Sequence, residues 1–139
     1  MSYTGKIGLA LLLALVGEIH AQNAPDGSNM SCVERLEIPI FPPLASAIRL
    51  SAVVTASVTL DKAGSVQSVS LDIVGGSTNL FSPAVEKSVR ASAFLAACGG
   101  KTVTAIFEFH PGQQLGAQRT TFSYPNRFSI FSPAMVVQP

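Results

Sequence analysis

Tryptophan is absent, cysteine and histidine occur twice each, and charged side chains make up only 12% of the 139 residues. Each scarcity removes a class of function. Nine Lys and Arg against eight Asp and Glu leave a net charge near +1. The basic residues Arg35, Arg49, Lys62, Lys87, Arg90, Lys101, Arg119 and Arg127 never form a run. Such a surface has no electrostatic footprint for nucleic acid or acidic membranes. Two cysteines and His110, the only histidine beyond residue 20, match no zinc-ligand spacing. A serine triad needs a histidine and an orienting acid. The only nearby acid is Glu108, and Glu108 and His110 follow Ile106 at alternate positions on the outward face of one strand, the pattern of two solvated residues on a sheet. Gly75-Gly76 and Gly99-Gly100 read as turns, because neither opens a helix at phosphate-loop spacing. No catalysis, cofactor, metal or small-molecule substrate is expected. No internal repeat or low-complexity tract is visible.

What is present begins with an address. Lys6 precedes an apolar run, Ile7–Val16, and Gly17-Glu18-Ile19-His20-Ala21 supplies a polar exit ending on a small residue. That is the three-part pattern of a secretory signal peptide, assigned to residues 1–21, with cleavage after Ala21 or after Ala24. As a helix the run spans about 15 Å, roughly half the hydrocarbon core, so an uncleaved inner-membrane anchor is the lesser reading. The expected destination is the periplasm or the exterior. There Cys32 and Cys98 have an oxidising environment. A bridge between them would close a loop of 66 residues, worth about 4 kcal/mol. Two buried free thiols are the alternative.

Residues 22–41 read as a leader and extended segment, in which Val33, Leu36 and Ile38 are candidate anchors. Asn29-Met30-Ser31 carries the glycosylation triplet, a weak signal in a chain of bacterial appearance. Pro43 can open a short helix through Leu50, with Leu44, Ala47 and Ile48 as its apolar face. Val53–Asp61 alternates with period two, placing Val54, Ala56, Val58 and Leu60 on one side. Asp61-Lys62-Ala63-Gly64 turns the chain, and Val66–Val74 returns with Val69, Leu71 and Ile73 inward. A second helix is expected from a Ser82 cap, with Pro83 in its first turn. Its inner face would hold Phe81, Ala84, Val85, Ser88, Val89 and Ser92, with Phe94 closing it before Gly99-Gly100. Thr102–His110 alternates again, with Val103, Ala105, Phe107 and Phe109 inward. One apolar face per strand implies a sheet covered on one side. The fold class is therefore α+β, an antiparallel three- to five-stranded sheet with two helices packed on one face.

The order of these elements resembles the C-terminal domain of the TonB family. The matching residues are Pro42-Pro43-Leu44-Ala45, Val54 and Val58, Asp61, Gly64 and Val66, the helix from Ala84-Val85 to Phe94, and Thr102–Phe109. Residues 42–110 form the resembling domain and 111–139 a C-terminal strand extension. Where the family usually has Trp, this chain has Ser92, so Phe94, Phe81 or Phe107 would fill the gap. No long Pro-rich spacer precedes the domain, which favours a stand-alone module over a force-transmitting transducer. The resemblance implies a protein-binding role in TonB-dependent transport, with an outer-membrane TonB-dependent receptor as partner. The site it implies is the exposed edge of the strand Thr102, Val103, Thr104, Ala105, Ile106, Phe107, Glu108 and Phe109, which adds a partner segment by main-chain pairing. Self-association through a sheet edge belongs to the same expectation. A structural or envelope-assembly domain without a transport role is the alternative. In the extension, Thr120–Tyr124 and Arg127–Phe131 both alternate, with Pro125-Asn126 a kink or turn between them. A hairpin would lay Thr120–Tyr124 antiparallel on Thr102–His110 and occupy that edge.

Overall fold

The computed structural model describes residues 27–75, 78–114 and 116–133. The expected signal peptide and the end of the C-terminal extension lie outside them. Within them the chain is α+β, with two helices, a five-stranded mixed sheet and a two-stranded antiparallel sheet. The strands are β1 (Val33–Arg35), β2 (Ala52–Leu60), β3 (Val66–Val74), β4 (Ala93–Phe94), β5 (Thr102–Gln114), β6 (Arg119–Ser123) and β7 (Arg127–Pro133). The helices are α1 (Pro43–Ala47) and α2 (Thr78–Ala91).

The hairpin forms as its sequence dictates. Val54 faces Ile73, Ala56 faces Leu71 and Val58 faces Val69 across β2 and β3. At the turn, Asp61 Oδ1 accepts the N–H groups of Ala63 and Ser65 at 2.9 and 3.0 Å. Gly64 takes φ +86°, and a Cβ there would lie 2.8 Å from the backbone of Leu95 and Ala96. Both demands exclude a side chain.

Inside the sheet, Val54, Ala56, Val58, Leu60, Val103, Ala105, Phe107 and Phe109 are buried on the expected face. Phe81, Val85 and Val89 of α2 cover them. Val69, Leu71 and Ile73 point the same way but are only half-buried, because β3 is the sheet margin.

Three expectations about the elements need correction. Helix α2 starts at Thr78, not at a Ser82 cap, and Pro83 lies inside it. Its missing N–H falls just beyond the first turn, where only the Asn79 carbonyl loses a partner. The same helix ends at Ala91, so Phe94 belongs to β4, where it pairs with Val33. In α1 the face is reversed: Ala45 is fully buried while Leu44 and Ile48 are 57% and 56% exposed. Ala45 is the residue of this helix that joins the core, and Arg49 at φ +58° turns the chain before Leu50.

The C-terminal extension departs most. The sheet order is β3-β2-β5-β7-β6, so β7 rather than β6 lies beside β5, and it does so in parallel. The sheet is mixed, not antiparallel throughout. Strand β7 brings Phe128, Ile130 and Ser132 inward, all buried, and is suited to an internal place. Strand β6, mostly exposed, takes the margin. Close approach at Gly112 seals the arrangement: any Cβ there would collide with the Ser132 carbonyl, and its N–H donates to Ser132 Oγ at 2.8 Å.

Candidate binding edges

A sheet binds an extended segment only through backbone groups that its own chain leaves unpaired. Which groups those are follows from one bond. Leu60 N–H donates to the Lys101 carbonyl at 2.9 Å, so the even-numbered residues of β2 direct their backbone groups toward β5. By alternation the odd-numbered ones face β3. The same logic sends Thr102, Thr104, Ile106 and Glu108 of β5 away from β2, toward the side where the resemblance places a partner.

That side is occupied. Asn29 Nδ2 donates to the Thr102 carbonyl at 2.8 Å, and Thr104 N–H donates to the Ser28 carbonyl at 2.9 Å. Asn126 Nδ2 donates to the Thr104 carbonyl, and Ile106 N–H donates to the Asn126 carbonyl, both at 2.9 Å. From Ile106 onward β7 takes over. The strand Thr102–Phe109 is therefore internal, and its expected role as an exposed edge is corrected. Of the alternating residues, Val103, Ala105, Phe107 and Phe109 are core, while Thr104, Ile106 and Glu108 line the opposite, half-exposed face. Ser28, Asn29 and Asn126 are the residues that sequence reasoning missed. Their composition marks turns, but nothing in it says which strand the turns will close. Replacing Asn126 by alanine leaves the half-buried Thr104 carbonyl without its side-chain donor. Equilibrium denaturation should show a loss of about 1 kcal/mol.

The margin at β3 is different. Ser68, Ser70, Asp72 and Val74 face Thr59, Ser57, Thr55 and Val53, the odd residues of β2. Val69, Leu71 and Ile73 therefore direct N–H and C=O outward, and no described residue bonds to them. The regular ladder Ser68–Val74 contains no proline and no lysine, and Asp72 is its only charge. The other margin, β6, has five residues, begins at Arg119 and runs into a turn containing Pro125.

The two cysteines meet as expected, with Cα atoms 5.8 Å apart in a disulfide. It ties the turn before β1 to the turn after β4, and β1 leads on into a strap, Leu36–Pro42. Along that strap Glu37 N–H donates to Ser92 Oγ at 2.9 Å. Gln118 accepts from Phe41 N–H at 2.7 Å and donates to the Pro39 carbonyl at 3.0 Å. Between the strap and α2 lies an apolar groove of about 400 Å³ lined by Ile38, Ile40, Leu80, Pro83 and Ala84.

Glu108 and His110 each meet a different neighbour. Glu108 bonds Arg127 at 3.0 Å, and the His110 ring stacks on Phe131 at 5.1 Å. Among the described residues no group of acidic, Cys or His side chains could hold a metal, and no helix is long and apolar enough to cross a membrane. No family model, curated protein or solved structure matches the chain.

Proposed function

We propose that this protein is an exported, non-catalytic binding module, similar in kind to the TonB C-terminal domain, that adds an extended segment of an envelope partner to its sheet. The accepting edge is β3, since the β5 edge is closed. The observation that carries this reading is the outward row of backbone groups at Val69, Leu71 and Ile73, to which no described residue bonds. Proteins normally blunt such an edge with lysine, proline or a covering element. Main-chain bonds would supply affinity, and the half-buried apolar side chains beside them would select alternate residues of the partner. The disulfide supports export, because such bridges persist in oxidising compartments. The partner class is an outer-membrane receptor of TonB-dependent transport.

The closed β5 edge favours a second reading, a structural or envelope-assembly domain without a transport role. One experiment separates them. Proline at Val69 removes no ladder bond, because that N–H faces outward, and edge strands tolerate it there. A displayed library of random extended peptides should be enriched on the wild-type protein and at least about tenfold less on Val69→Pro, the loss of roughly 1.4 kcal/mol expected when one or two main-chain bonds go. Thermal unfolding confirms that the variant is folded. Equal enrichment on both proteins, or none on either, rejects strand addition at β3 and leaves the structural reading.

A further inference from the structure

We infer that in the absence of a partner the β3 edge is filled by a second copy of this chain, in an antiparallel two-fold pairing centred on Leu71. The inference rests on the reading of β3 as a pairing edge and names its first occupant. The regular part of the β2–β3 ladder runs from Ser68 to Val74, and its midpoint is Leu71. A two-fold axis there sets Leu71 against Leu71 of the second copy and Val69 against its Ile73. These are the three residues whose N–H and C=O point outward, so outward groups meet outward groups in every pair. Each such pair exchanges two bonds, giving three pairs and six bonds. A register one residue away would bring outward groups against groups already bonded to β2, and fails.

Side chains agree with this register on both faces. On the helix-covered face, the half-buried Val69, Leu71 and Ile73 gain apolar neighbours of their own kind. On the other face, the closely spaced pairs place exposed Ser70 opposite exposed Asp72 of the second copy, hydroxyl against carboxylate. No like charges stand opposite each other. The two five-stranded sheets would join into one continuous sheet, and the unprotected margin would disappear.

Ser70 supplies a test whose sign depends on the register. It faces Ser57 on β2, so either charge at this exposed position leaves the monomer's packing intact. Ser70→Asp sets like charges opposite each other twice per dimer and should weaken association about tenfold, whereas Ser70→Lys sets Lys against Asp72 and should tighten it. Sedimentation of the disulfide-intact protein across a dilution series reads the association. Hydrogen exchange on the same samples reads the amides of Val69, Leu71 and Ile73, which should become protected only as concentration rises. Dimerisation with that protection and both charge effects establishes the pairing. A dimer without protection of those amides, or with Ser70→Asp and Ser70→Lys shifting association alike, overturns it. A protein that stays monomeric at every concentration overturns it too. If that monomer still enriches peptides in a Val69-dependent manner, the functional reading survives alone; if it does not, both fall.

Discussion

Replacing Cys32 and Cys98 together by alanine should lower the unfolding free energy by about 4 kcal/mol, the closure entropy of a 66-residue loop. For a domain of this size that corresponds to a fall of about 20 °C in thermal midpoint. Beyond constraining the unfolded chain, the bridge sits among native contacts. Both cysteines are buried, and Leu95 N–H donates to the Cys32 carbonyl at 2.8 Å, continuing the β1–β4 pairing. Ser28 and Asn29, which close one end of the β5 edge, lead into the turn Met30–Cys32. Loss of the bridge should therefore quicken amide exchange at Thr104 before it affects Phe107. Calorimetry of oxidised wild type, reduced wild type and the double variant checks the magnitude. A loss below about 1 kcal/mol in both reduced and substituted protein would show that the strap is held without the bridge.

The parts of this fold legible in the sequence are those decided by local alternation. Strands β2 and β5 bury every second residue, and the side that each apolar residue takes is set by the period of two alone. Strand β3 shows where that ends. Its pattern identifies the face of Val69, Leu71 and Ile73 but not that they lie at a margin, because the neighbour on a strand's far side is chosen by tertiary structure. The C-terminal strands make the same point. Both alternate, and a short loop makes a hairpin onto β5 the natural expectation. What decides otherwise is bulk: β7 offers Phe128 and Ile130 to the core, whereas β6 offers Thr120 and Phe122, and Phe122 stays more than half exposed. In α1 the spacing of Leu44, Ala47 and Ile48 marks a face, yet Ala45 is the residue that the tertiary structure buries. The candidate site moved for a related reason. Asn29 and Asn126 seal β5 through side-chain bonds to residues 73 and 22 positions away, separations at which sequence pattern carries no signal.

The aromatic core tests the resemblance at its weakest position. Where the TonB-like pattern carries Trp, Ser92 donates to the Ser88 carbonyl at 2.8 Å and accepts the strap's Glu37 N–H. No ring is needed there, because the strap itself occupies the place beside the helix end. Bulk comes instead from Phe81 at the helix start, fully buried against Phe109 at 4.8 Å and Phe41 at 6.1 Å between ring centres. Phe41 arrives on the same strap and meets Phe109 edge-on at 5.5 Å. One ring from the helix, one from the strap and one from β5 thus join three segments that the sheet ladder does not connect. Truncating Phe81 removes contacts to both of the others, and neither side chain can collapse into the space without leaving its own partner. Phe81→Ala should cost about 3–5 kcal/mol in denaturant unfolding at unchanged slope. Phe94→Ala should cost clearly less, since that ring is only half-buried beside β1. Equal losses for the two variants would place an aromatic anchor of equal weight at Phe94, past the end of the helix.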